Sequence, residues 1–319
     1  MSNALLSRVA ESTFWIGRYV ERAEGTARIL DVVVYQALEQ SEGAGVSASE
    51  RLLAVMGLPA EDRQEERSSD LWRVTERLAR DPDSRSSITG ALNAARENTR
   101  AVRHVIPVEL WERINRTWSE LPHQWELARR AGPASYLAFV KTQTAAITGL
   151  ADTTMSRDQT WLFFTLGRCL ERTDVVARQL ASLSLSFDDV PDTGLVLLLR
   201  SCGGYEPYLR LSQGVVEGGR VLGFLLRDRL FPRSAFASLT VAEDCLQQIS
   251  LGRDEWDEAR GLVGLARAEL EYSPPATLSA GLDGRLERLQ RTISQVSDAV
   301  TRQYFAHDLP TQWRSGAGS

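Results

Sequence analysis

The apolar positions of this chain recur at helical spacing, not strand spacing. Leu5, Val9, Ile16, Val20, Ala23, Ala27, Leu30 and Val34 fall on one narrow face when successive residues turn by about 100°. That stripe predicts an opening helix over 3–38. The opposite side is not a plain polar surface, because Phe14, Arg18, Glu21, Gly25 and Arg28 line up there. An aromatic ring and a helix-weakening glycine on that face imply that another element packs closely against it.

The same reading predicts helices over 47–57, 66–80, 86–104, 108–118, 123–130, 134–150, 157–183, 193–200, 205–228, 232–250, 254–270 and 277–305. Proline is absent before Pro59, between Pro133 and Pro191, and between Pro232 and Pro274, so those spans can hold unbroken helices. Ser47 with Glu50, Ser156 with Gln159 and Thr240 with Glu243 have the capping-box spacing that marks helix starts. Loops are expected over 41–46, 58–64, 81–85, 151–156, 184–192 and 271–276. Alternating β-branched runs are scarce, and the expected fold class is all-α, a multi-helix bundle.

The opening pattern returns later. FWIGRYVERAEGTAR at 14–28 aligns with FTLGRCLERTDVVAR at 164–178, without a gap and 150 residues apart. Phe14 matches Phe164, Gly17 matches Gly167, and Arg18 matches Arg168. Glu21-Arg22 matches Glu171-Arg172, Glu24 matches Asp174, and Arg28 matches Arg178. This predicts an internal duplication with two related central helices, 3–38 and 157–183. The halves would be 1–150 and 151–308, sharing one compact domain, with a frayed tail at 309–319. Gly25 becomes Val175, so any approach that needs a glycine there belongs to the first copy alone.

Two copies of an Arg/Glu face admit several chemistries. A structural ion-pair network between the central helices is one reading. An anion site is another, with Arg18, Arg28, Arg168 and Arg178 as bidentate donors to phosphate or carboxylate and Glu21 and Glu171 orienting them. A docking face for a protein partner is a third, with Phe14, Trp15, Gly25 and Phe164 as its contacts. Arg96, Arg100 and Arg103 share a face of a second basic helix that could extend an anion site. Arg227, Arg229 and Arg233 surround Pro232, and Cys202-Gly203-Gly204-Tyr205 reads as a turn entering a helix. No metal site is expected, since His104, His123 and His307 have no ligand-like clustering. No glycine loop that cradles phosphate is present. The eight tryptophans are spread along the chain and read as core or interface anchors.

Composition narrows the picture further. With 37 basic and 42 acidic residues the net charge is -5, which argues against a nucleic-acid partner. Three distant cysteines, Cys169, Cys202 and Cys245, suit a reducing compartment better than a disulfide framework, and the expected location is cytoplasmic. Cys169 reads as a small buried hydrophobe. Charge interrupts the N-terminus too often for a signal peptide or a membrane span.

LLSRVAESTFWIGRYVERAEGTARILDV closely resembles the opening of the alpha-E domain family, helical proteins noted for a Glu-Arg motif. That motif stands here at Glu21-Arg22 and again at Glu171-Arg172. RENTRAVRHVIPVELWERIN at 96–115 and FPRSAFASL at 231–239 are similar to two further family segments. The resemblance spans roughly 1–308. It implies a genomic setting beside, or fused to, a circularly permuted ATP-grasp protein. A transglutaminase-like cysteine peptidase often accompanies the family, and sometimes a proteasome-like peptidase. ATP and Mg would then belong to the partner, and no cofactor is expected in this chain. The resemblance carries over no catalytic residue. The leading expectation is an accessory or scaffold protein of an ATP-grasp ligase system for peptide ligation or modification. The alternatives are a catalytic component of ATP-dependent amide-bond formation and a purely structural helical protein.

Overall fold

The computed structural model describes residues 3–39, 52, 55–56, 71–183, 190–251, 256–274, 278–279 and 281–305. Among these, every regular element is helical. They are α1 (Asn3–Glu39), α2 (Leu71–Arg80), α3 (Ile88–Ala101), α4 (Val108–Ala131), α5 (Ala134–Thr154) and α6 (Gln159–Ala181). Then follow α7 (Asp192–Ser201), α8 (Tyr205–Ser212), α9 (Gly218–Arg227), α10 (Ala235–Ile249), α11 (Glu258–Tyr272) and α12 (Leu282–Val300). A π turn, Thr301–Phe305, ends the described chain. Among the described residues no helix is long and apolar enough to cross a membrane.

Helices α1 and α6 lie side by side at the centre and make the most extensive contact in the molecule. They run in the same direction, since Gly17 lies against Phe164 and Gly25 against Val175. Each has its own flanking helices. α1 packs on α3 and α5, which α4 bridges, and α6 packs on α10 and α12, which α11 bridges. The buried side chains form two clusters accordingly. One gathers apolar residues from 16–155 and the other from 162–305, and the exceptions cross over. Ala10 and Phe14 of α1 sit in the later cluster, and Phe164 of α6 sits in the earlier one.

The flanking helices are ordinary amphipathic elements. In α12, Leu282, Leu286, Leu289, Ile293, Val296 and Val300 are buried at alternating steps of four and three. The central pair differs. α1 is buried on its stripe (Ile16, Val20, Ala23, Ala27, Leu30) and also on the opposite side at Phe14, Arg18 and Glu21. The close neighbour expected for that second face is α6.

Several expected boundaries move. The helices expected over 108–118 and 123–130 are one helix, α4, with Pro122 inside it. Pro122 is exposed while Leu121, Trp125 and Ala128 continue the buried stripe, so packing holds the helix through the break. The segment 205–228 is two helices, because Gln213 (φ 54°) and Gly214 (φ 86°) turn left-handed between α8 and α9. α5 continues to Thr154 and α11 to Tyr272, into segments expected as loops.

Two of the capping boxes are also corrected. Asp158, not Ser156, caps α6 by accepting from the backbone N–H groups of Thr160 and Trp161. Thr240 lies inside α10, where its hydroxyl donates to the Phe236 carbonyl, and Ser234 is the cap. The Ser47–Glu50 box, the 41–46 and 58–64 loops and the 309–319 tail lie outside the described residues. So does the 47–57 helix, except for Leu52, Val55 and Met56.

Candidate functional site: the central Arg/Glu pair of helices

Backbone approach comes first. A Cβ on Gly17 would lie 2.1 Å from the Phe164 carbonyl oxygen, and one on Gly167 would lie 2.1 Å from the Phe14 carbonyl oxygen. Neither position has room for any side chain, so these two matched glycines let α1 and α6 touch backbone to backbone. One turn pair further on, the glycine is on one side only. A Cβ on Gly25 would lie 3.4 Å from the Cγ atoms of Val175, so the valine at the matched position packs against the glycine it replaces.

The charged residues then pair across the helices. Arg18 and Glu21 are close in sequence, but each engages the other helix. Glu171 accepts from Arg18 Nε (2.7 Å) and from Arg22 Nε (2.6 Å) and Nη2 (2.8 Å). Glu21 accepts from Arg172 Nε (2.9 Å) and Nη2 (2.8 Å), which mirrors the Arg22 fork. Behind each fork lies a pair one helical turn apart: Arg28 with Glu24 and Arg178 with Asp174, both at 2.9 Å. The network is symmetric in its centre.

It is asymmetric in its third cation. Arg18 is bonded to Glu171 and to Ser297, whereas Arg168 stands 3.9 Å from Glu21. A different cation, Arg233, donates to the other Glu21 oxygen, Oε1 (2.9 Å), and to Glu24. Arg233 arrives on the turn before α10, where Ser234 bonds the Asp228 carbonyl and caps the helix. The turn before α3 is built alike, with Ser87 bonding the Asp81 carbonyl and capping at Gly90. There Ser86 stands where Arg233 stands. A cleft of about 150 Å³, lined by Arg22, Ser86, Glu171, Asp174 and Arg178, remains on that side. On the Arg233 side the corresponding space is about 10 Å³.

Burial makes these pairings obligatory. Glu21 and Glu171 are each 2% exposed. Burial alone would push the Glu171 carboxyl up, but the guanidinium charges of Arg18 and Arg22 together outweigh it and hold it at about 2. Glu21 is held well below the usual carboxylate range against the same burial by Arg172, Arg233 and Arg168. Asp174 goes the other way, because burial there exceeds the pull of Arg178. Cys169, Cys202 and Cys245 are free and buried, and burial pushes each thiol up, so they remain neutral.

The structure therefore gathers Arg18, Glu21, Arg28, Arg168, Glu171 and Arg178 around one helix pair. Phe14 and Phe164 flank it as crossed core anchors, and Trp15 stacks on Tyr19 beside it. Arg96 and Arg100 are not part of it. Arg96 bonds Asn115 and Glu97 and covers the Trp118 ring, and Arg100 pairs with Glu97. Arg103 lies beyond the end of α3, on the following turn. A face argument at helical steps missed Arg22, Arg172 and Arg233. The Glu-Arg dipeptides and the Phe-Pro-Arg-Ser segment carried that signal. Among the described residues no group of three His, Cys, Asp or Glu side chains is placed to hold a metal ion.

Residues 5–305 match the Alpha-E family, described as a predicted alpha-helical domain with a conserved ER motif. The chain belongs to the Alpha-E family. Two of its Glu-Arg dipeptides, Glu21-Arg22 and Glu171-Arg172, form the two crossed forks, Glu21 with Arg172 and Arg22 with Glu171. This Alpha-E chain is 27% identical to an uncharacterized protein of Mycobacterium bovis and to one of Mycobacterium tuberculosis, over 94% of its own length. It spans only 37% of the length of each of these relatives. No solved structure gives a significant match to the Alpha-E chain.

Proposed function

We propose that this Alpha-E domain is a non-catalytic helical scaffold, and that its central Arg/Glu network is a structural lock rather than a ligand site. One observation carries the reading: the chain's own guanidiniums occupy the buried Glu21, Glu24 and Glu171. Glu171 alone receives three N–H bonds from Arg18 and Arg22. Arginines neutralised in this way have little charge left for an outside anion. Such a network specifies which helices pair and in which register. The aligned segments and the crossed contacts support reading the halves, 1–150 and 151–308, as copies of one unit.

A scaffold serves a partner. That the mycobacterial relatives extend well beyond the matched part is in keeping with a role beside a further region. From the family resemblance we take that partner to be a circularly permuted ATP-grasp protein acting in peptide ligation or modification. ATP and Mg would bind there, and the transglutaminase-like and proteasome-like peptidases would be further members of the system. The test is reconstitution. The chain is incubated with ATP and Mg alone, then with the purified ATP-grasp protein, and phosphate release and complex formation are measured. The expected result is no turnover by the chain alone, and a stable complex in which the ligase's turnover changes. Turnover by the chain alone sinks the scaffold reading, and a ligase indifferent to the chain sinks the partnership.

A further inference from the structure

The two sides of the central pair are not filled alike. On one side Trp15 and Tyr19 stack with ring centroids 5.4 Å apart, and the guanidiniums of Arg22 and Arg85 cover the Tyr19 ring. The matched positions in α6, 150 residues on, are Thr165 and Cys169. Two rings are replaced by two small side chains, and a cleft of about 680 Å³ opens there. Its wall includes Arg157, Trp161, Thr165, Arg168 and Phe236, with Asp152 at the edge.

Just behind that wall lie polar atoms with nothing to bond. Arg168 Nε, Thr165 Oγ1 and Trp161 Nε1 are buried without a hydrogen-bond partner among the described residues. Arg168 is only 9% exposed. Its Nε is 3.9 Å from Glu21 Oε2, beyond hydrogen-bonding reach, while Arg233 bonds Oε1 of the same carboxylate. What holds its fork instead is a 3.3 Å bond from Nη1 to Asp152, whose side chain is 42% exposed. An orphan donor is costly while it stays unpaired. A modest rotation that trades Asp152 for a ligand would satisfy the Arg168 fork.

Charge and surface say what kind of ligand. Arg172 and Arg229 also line the cleft but are paired with Glu21 and Glu271. Arg157, which covers the Trp161 ring at 4.0 Å, bonds the neutral backbone carbonyl of Asp152, and Arg168 has the Asp152 carboxylate at 3.3 Å and the already paired Glu21 at 3.9 Å. The local excess is positive. Around it lie Trp161, Phe236 and Pro232, with Leu230 and Val241 exposed. We propose that this cleft binds an oxyanion, a carboxylate or phosphate, carried on an apolar body, with Arg168, Thr165 and Trp161 as its donors. The site borders the lock, sharing Arg172 as a wall, and it differs from the matched face in that Arg18 bonds its glutamate and Arg168 does not.

Isothermal titration calorimetry of the purified chain with benzoate, phenyl phosphate and inorganic phosphate tests it. Saturable binding of benzoate or phenyl phosphate is expected, and which of them binds more tightly identifies the oxyanion. Arg168→Gln should weaken binding by about tenfold or more, the loss of one charge-assisted bond. Thr165→Trp, which restores the ring present at Trp15, should remove binding and keep the circular dichroism spectrum. Should Arg168→Gln fail to fold, Thr165→Trp and Trp161→Phe decide the matter. No saturable heat with any probe, or unchanged affinity in the folded variants, overturns the proposal. Inorganic phosphate binding as tightly as phenyl phosphate overturns its apolar half.

Discussion

Glu171 shows how a single residue carries the centre of this molecule. A buried carboxylate persists where its charge is met, and here two guanidiniums meet it. Glu171→Gln keeps the shape but leaves Arg18 and Arg22 facing a neutral amide. The expected loss is about 3–5 kcal/mol, read from the urea unfolding midpoint. Gly17 makes the opposite kind of demand. Alanine favours a helix by about 1 kcal/mol, yet at Gly17 its Cβ meets the Phe164 carbonyl oxygen. Gly17→Ala is therefore expected to lower stability by about 1–3 kcal/mol through overpacking. Gly223→Ala, in α9 with nothing within 4 Å, should raise it by about 0.5–1 kcal/mol. Thermal melts of the two variants, side by side, check the contrast. The sequence marks Gly17 through its match to Gly167, and the neighbouring backbone supplies the physical reason.

At the scale of elements, local pattern and tertiary packing disagree in instructive places. The proline at 122 predicts an end to the helix, but α4 buries Leu121 and Trp125 around it and continues to Ala131. The break still costs a backbone hydrogen bond and strains the turn before it. Pro122→Ala is expected to stabilise the protein by about 1–3 kcal/mol, seen as a higher melting temperature. A fall instead would mean that the bend itself is needed to seat Trp125 against Trp72 and Tyr136. The capping signals at Ser156 and Thr240 failed for a related reason. A side-chain oxygen caps only where the chain turns out of the helix, and Asp158 and Ser234 hold those positions. The turns before α3 and α10 share one hydrogen-bond design, yet one brings Ser86 and the other Arg233 to the central helices. That one difference closes one side of the pair and leaves the other open.

For the whole molecule, the lock couples folding to pH. Glu171 titrates near 2 in the fold against an ordinary value of 4.5, and Glu21 is depressed as well. A depressed folded value means stability that is fully present above 4.5 and lost as pH falls toward 2. Asp174, raised by burial, opposes the trend because its protonation favours the fold. The two glutamates outnumber it, so the unfolding midpoint should fall steadily from pH 5 to pH 2 by about several kcal/mol in free energy. The slope should shrink in Glu171→Gln. A midpoint that stays flat over that range would mean the network is not ionised as drawn.

The amino-acid order by itself determined the helices, the two matched segments and the face that bears Arg18, Glu21, Glu171 and Arg168. Spacing suffices for these because a helix turns its side chains at fixed intervals. It determined neither the partners nor the vacancies. Arg18 pairs with Glu171 rather than with Glu21, because α1 and α6 run alongside each other at the Gly17 and Gly167 contacts. Arg233 reaches Glu21 because the turn before α10 delivers it there, while Arg168 stays 3.9 Å away. The cleft beside Thr165 is open because two rings at the matched positions have no counterpart on that side. Such outcomes depend on which groups compete for the same space and charge, and only the tertiary structure brings the competitors together.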